Sequence, residues 1–177
     1  MRSSRPARLV AGVLALSLAI LPAAPARAQA ATESAAKAAF IYNVALFSNL
    51  PGVSGTVRLC VLGRDPFGAA LERLEGKSVG EAKMTVAYPH SHSEALRQCQ
   101  ILFISASEAD SLGTLAEAAK AAGILSISDS KGAARRGVML ELYVEERRIA
   151  FECNGAMARA ASIVLSSKLL RLARAVY

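Results

Sequence analysis

Three short apolar runs constrain this chain more than any other feature. Val57–Leu62, Ile101–Ile104 and Ile124–Ile127 are each strand length, and Ile101-Leu102-Phe103-Ile104 contains no polar residue at all. A run apolar at every position has both faces buried, which is the mark of a parallel strand covered by helices on both sides. Helical stretches separate the runs. Asp65-Pro66 opens one that continues to Leu74, with Asp65 as N-cap and Pro66 at N1. Ser107-Glu108-Ala109-Asp110 reads as a capping box for a second, which Gly123 stops. Met84–Ala87 supplies a further short strand. Strand–helix–strand alternation predicts a single α/β domain with a mixed, mostly parallel sheet flanked by helices.

The two ends differ from this middle. Arg2, Arg5 and Arg8 precede an apolar run from Leu9 to Leu21, Pro22 and Pro25 break it, and Ala26-Arg27-Ala28 is a small-x-small cleavage pattern. The 13-residue run is too short to span about 30 Å of hydrocarbon as a helix. Residues 1–28 are therefore expected to be a signal peptide cut after Ala28, leaving 29–177 as one domain exported to the periplasm. Cleavage removes four of the 21 Lys+Arg, so 17 face 14 acids and the net charge falls from +7 to +3. That value, with no Trp and few aromatics, does not point to nucleic acid. A helix is expected from Thr32–Ser34 to about Phe47.

At the other end, Val138, Leu140, Leu142 and Val144 alternate with more polar residues, and Ile149, Phe151 and Cys153 alternate on a returning strand. The predicted turn is Glu146-Arg147, which places Glu141 opposite Glu152 on one sheet face. Such a pair is a candidate carboxylate site, and a different register or simple solvation is the competing reading. Asn154 is expected to cap a long final helix from about Ala156 to Ala175. Ala158, Ala161, Leu165, Leu169, Leu172 and Val176 would face the sheet. Lys168, Arg171 and Arg174 would form a basic stripe.

Candidate chemistry is sparse, and no catalytic residue is assigned. Ser34-Ala35-Ala36-Lys37 matches S-x-x-K, but its companion motifs are missing and the match is taken as chance. His90 and His92 share a loop, and two imidazoles fall short of the three or four ligands that zinc requires, so no metal and no cofactor is expected. Cys60, Cys99 and Cys153 permit three single disulfides. If the strands carrying Cys60 and Cys99 are neighbours, that bridge is sterically reasonable and closes a loop of roughly 40 residues, worth about 3–4 kcal/mol. Cys153 reads as a buried free thiol.

Several landmarks then fall in a familiar order. They are Lys37–Asn43, Leu59-Cys60-Val61-Leu62-Gly63, Asp65-Pro66-Phe67-Gly68, Cys99–Ser105, Ser128-Asp129, Arg148–Asn154 and Leu165–Ala173. Together they resemble the YfiR family across almost the whole mature chain. The resemblance implies an α/β sheet flanked by helices and a non-enzymatic periplasmic repressor. It implies a partner, the periplasmic region of an inner-membrane diguanylate cyclase held inactive, and a second candidate partner, an outer-membrane lipoprotein that sequesters the repressor. It also implies a disulfide at the positions of Cys60 and Cys99, and a homodimer as a candidate assembly. The chain departs from the family in having Leu50 where Trp is common, Arg136-Gly137 where Gly-Gly is usual, and Cys153 where an apolar residue is frequent. The partner surface is expected over Glu152–Arg159 and the final helix, with Glu152, Asn154, Arg159, Lys168 and Arg171 as its residues. The alternative is a periplasmic small-molecule-binding module that feeds a sensor kinase or an outer-membrane uptake system. An exported hydrolase is the third reading, and it lacks a nucleophile–base pair.

Overall fold

The computed structural model describes residues 24–177, with side chains from Gln29 onward. The expected export segment, residues 1–28, lies outside that range apart from the backbone of Ala24–Ala28. In chain order the elements are α1 (Ala24–Leu46), β1 (Ser48–Asn49), β2 (Thr56–Leu62), α2 (Ala69–Glu72), β3 (Ser78–Val79), β4 (Ala82–Ala87) and α3 (His92–Gln98). They continue with β5 (Ile101–Ile104), α4 (Leu112–Ala121), β6 (Leu125–Ser128), β7 (Leu140–Glu145), β8 (Arg148–Cys153), α5 (Gly155–Ala160), β9 (Val164–Leu165), α6 (Ser167–Leu170) and β10 (Ala175–Val176).

The main sheet has eight strands in the order β10-β8-β7-β6-β5-β2-β4-β3, and β1 pairs with β9 separately. From β4 to β7 every neighbouring pair is parallel. The chain leaves β2 for β4 on one side, then crosses to β5 on the other, so the winding reverses between β2 and β5. The apolar runs behave as their composition requires. Leu59, Val61, Ile101, Phe103, Leu125 and Ile127 point to one face, beside Ile41 and Val44 of α1. Cys60, Leu62, Leu102 and Ile104 point to the other, beside Ala95 of α3 and Leu112, Leu115 and Ala119 of α4. Ile101 through Ile104 are all fully buried, and each such side chain contributes about 1.5–3 kcal/mol by leaving water.

The β7–β8 hairpin has the expected register. Glu141 lies opposite Glu152, and Glu145 opposite Arg148. Its turn residues, Glu146 (φ 48°) and Arg147 (φ 65°), both occupy the left-handed region. Asn-Gly is the ordinary choice there; an L residue with a Cβ costs about 1–2 kcal/mol at such a position.

Four local expectations need correction. α1 begins at Ala24 instead of Thr32–Ser34, because its Ala-rich sequence sustains a helix without a cap there, and Ser34 Oγ donates to Pro66 O (2.8 Å). Asp65 does not cap α2; its carboxylate accepts from Phe67 N (2.8 Å) and Gly68 N (3.1 Å), so a turn precedes the helix. The capping box at Ser107 does not form. Ser107 Oγ accepts from Arg64 N (2.8 Å), and a 3₁₀ segment precedes α4. Gly63 makes this approach possible, since a Cβ there would lie 2.4 Å from Ser107 Oγ.

The fourth correction is the long final helix. It is two short helices and two short strands. Ser162 takes a left-handed conformation (φ 59°), β-branched Ile163 and Val164 follow, and Ser166 Oγ caps α6 by accepting from Leu169 N (3.2 Å). Ala158, Ala161, Leu165 and Leu169 are buried as expected. Leu172 (71% exposed) and Val176 (51%) are not. The basic stripe of Lys168, Arg171 and Arg174 therefore does not exist as one helix face.

Candidate functional site

The expected partner segment begins where β8 ends. Glu141 and Glu152 are cross-strand neighbours but do not form a carboxylate pair, because each has its own donors. Glu141 is buried and accepts from Gly132 N (2.8 Å) and Ala134 N (3.0 Å), which anchors the loop between β6 and β7. Glu152 accepts from the Tyr177 hydroxyl (2.6 Å). Glu141→Gln keeps the size but presents an amide N–H to one of the two backbone donors, of which Ala134 N is buried and Gly132 N partly so, and unfolding free energy should fall by about 1–3 kcal/mol. Urea denaturation measures this, and a change near zero would contradict the anchoring role.

Asn154 holds structure on two sides. Its Oδ1 accepts from Met157 N (3.1 Å) as the cap of α5, and its Nδ2 donates to Ala134 O (2.9 Å). Arg159 is exposed on α5. It lines an open, apolar groove of about 520 Å³ with Gly155, Ala158, Ile163, Leu165 and Leu170. Val164, 63% exposed, stands on the groove wall. Lys168 and Arg171 are exposed at α6, which contributes Leu170 to the groove. Of the expected contact residues only Arg159 lines this apolar depression; Lys168 and Arg171 are exposed on and just after α6 outside its lining, Glu152 lies on β8, and Asn154 braces the start of α5. The break at Ser162–Ser166 creates this groove, and helical periodicity concealed it.

The crevice at the carboxyl ends of β2 and β5 is where doubly wound sheets commonly hold ligands. Here the chain's own side chains occupy its surroundings. Ser107 bonds Arg64 N, Ser34 bonds Pro66 O, and Lys37 Nζ lies 2.9 Å from Asp129 Oδ2 at the end of β6 and 2.8 Å from Glu33 Oε1. Burial works against the Lys37 charge, but the two carboxylates outweigh it and hold its pKa above the ordinary value. Sequence reasoning assigned Lys37 no role. The Glu33–Lys37 spacing of four was the available signal.

Cys60 and Cys99 are joined, with Cα atoms 5.8 Å apart. Cys153 is a buried free thiol, and burial pushes its pKa up to about 11, so almost no nucleophilic thiolate exists at neutral pH. His90 and His92 are exposed, and His92 Nε2 lies 3.1 Å from Glu108 Oε2. Among the described residues no three His, Cys, Asp or Glu side chains cluster as metal ligands, and no helix is long and apolar enough to cross a membrane.

These features define a three-layer α/β domain whose parallel core is wound in both directions from β2. The chain belongs to the YfiR/HmsC-like family, which it matches over residues 34–174. That family consists of non-catalytic periplasmic regulators of cyclic di-GMP signalling. A comparison with curated proteins found no match. Among solved structures, the chain resembles a conserved domain protein from Vibrio cholerae O1 biovar El Tor, with TM-score 0.53 and 11% identity. It also resembles the ABC domain from Streptococcus pneumoniae solved in complex with L-Trp, with TM-score 0.53 and 9% identity. Each alignment covers 81% of this chain and 60% of the solved one, and at these identities the likeness concerns the fold alone.

Proposed function

We propose that this protein is a periplasmic negative regulator that binds the periplasmic region of an inner-membrane diguanylate cyclase and lowers cyclic di-GMP output. The family match over residues 34–174 carries the reading. Two structural features support it. Chain-internal bonds occupy the surroundings of the crevice that a ligand-binding relative of this topology would use. An apolar groove with Arg159 on its wall, and with Lys168 and Arg171 exposed on and just after the helix that supplies Leu170 to it, has the character of a small protein-contact surface, apolar at the centre and polar around it. A repressor of this kind acts by binding the inactive cyclase better than the active one. An outer-membrane lipoprotein that covers the same surface would relieve repression by competition.

Deleting the gene in its own host should raise intracellular cyclic di-GMP, and the wild-type gene should restore it. Val164→Glu places a charge on the groove wall at an exposed position, so it should leave thermal stability within about 0.5 kcal/mol of wild type. It should nevertheless fail to restore repression. No rise on deletion would overturn the proposal and favour a small-molecule-binding module that feeds a sensor kinase or an uptake system. Full restoration by Val164→Glu would move the contact surface elsewhere.

A further inference from the structure

We infer a second binding site, for a small anionic amphiphile, in the cleft between the Gln29–Ala36 stretch of α1 and the tip of the β7–β8 hairpin. The cleft measures about 500 Å³, within the range of small-molecule sites, and is separate from the groove at α5. Every residue that lines it lies after the expected cleavage point.

The apolar part of the ligand follows from the inner face of the hairpin. Leu140, Leu142 and Val144 alternate toward the core, and the first two are fully buried. Val144 is 44% exposed, although its cross-strand neighbour is Ile149 and both point to the face that α1 covers elsewhere. The hairpin reaches past the cover that α1 provides. Two apolar side chains are left at the floor of the cleft, with Thr32 and Ala36 on the opposite wall.

The anionic part follows from the rim. Arg147 and Arg148 are exposed there, and their guanidinium groups make no hydrogen bond or ion pair among the described residues. Of the acids nearby, Glu33 on the cleft wall is paired with Lys37 and Glu145 with Arg174, while Glu146 is exposed beside Arg147 in the turn and does not line the cleft. The turn holds Arg147 at φ 65°, where glycine would be unstrained, so the sequence keeps a guanidinium on this rim at the expense of backbone comfort. A guanidinium pair beside a half-covered aliphatic floor suits a carboxylate or phosphate with a short alkyl or aryl body.

Octanoate is the probe, titrated into the ¹⁵N-labelled protein isolated from its host. Saturable shifts are expected at the amides of Thr32, Val144 and Ile149. Octanol, with the same chain and no charge, should bind at least tenfold more weakly. Arg147→Gln with Arg148→Gln should weaken octanoate at least tenfold, whereas Arg159→Gln in the other groove should leave it unchanged. Phosphatidylglycerol vesicles identify the source: Arg147-dependent capture assigns a membrane lipid, and binding to octanoate alone assigns a free acid. Shifts confined to Gly155–Leu165, equal affinity for octanol, indifference to the Arg147/Arg148 variant or no saturable shift would each overturn the inference. None of these outcomes bears on cyclic di-GMP after gene deletion, so the two proposals fail separately.

Discussion

The Cys60→Ala/Cys99→Ala variant should melt roughly 8–16 °C below the oxidised protein, by calorimetry or circular dichroism. The bridge spans 39 residues. In the chain-entropy account, closing a loop of that length removes about 4 kcal/mol of freedom from the unfolded chain. For a chain of this size 1 kcal/mol corresponds to roughly 2–4 °C. The folded state bears the link readily, because β2 and β5 are parallel neighbours, with Cys60 beside Leu102, and Cys99 ends α3 two residues before β5. Both cysteines are buried on the face covered by α3 and α4, so alanine also leaves a small void between those helices and the sheet. Loss on this scale approaches a typical domain's whole margin of 5–15 kcal/mol. The variant should therefore accumulate poorly and, under the function proposed above, restore little repression, for want of folded protein rather than for want of a contact surface. A melting shift below about 3 °C would show that the sheet and helices hold this region without the bridge.

How much of this was legible beforehand follows the range of the interactions. Ile101–Ile104 announced a strand buried on both faces because every residue in it is apolar, and nothing distant was needed to read that. The Glu141–Glu152 register followed from counting residues around a two-residue turn. The Cys60–Cys99 pairing depended on which strands are neighbours; alternation put Cys153 aside as a buried thiol, the bridge was sterically reasonable only if the two strands adjoin, and the family likeness pointed to the same two positions. Leu165 and Leu169 do face the core, and their spacing of four mimicked a helix. The chain reaches the same side by a break at Ser162, a strand and a new cap at Ser166, all signalled by Ser and β-branched residues that the periodicity overrode. Arg159 was named in advance, but the apolar depression beside it exists only because of that break. Val144 was assigned to the core by alternation, which says which face a residue takes and not whether another element reaches far enough to cover it.

Lys37 is the residue whose importance was least visible, since its partner Asp129 lies 92 positions away. Lys37→Met should lower unfolding free energy by about 2–3 kcal/mol, below the 3–5 kcal/mol of a fully buried pair because Asp129 keeps some access to water. Methionine retains the apolar stem, so the loss reports the ammonium and its bonds to Asp129 and Glu33 rather than packing. The dependence on pH has a definite sign. The Lys37 pKa is raised in the folded state above its ordinary 10.5, so its stabilisation is complete below about pH 10.5 and disappears as pH rises through the folded value. The gap between wild type and Lys37→Met should be flat from about pH 6 to 9 and close in strong alkali. Adding Asp129→Asn to Lys37→Met should recover part of the loss, because the damage lies in a carboxylate left beside the sheet without its cation. Glu33→Gln alone should cost well under 1 kcal/mol, as expected of a half-exposed helical pair with Asp129 still in place. If the double variant is no more stable than Lys37→Met, the lysine stabilises by filling space, and α1 is held across the sheet ends by its apolar face and Ser34 instead.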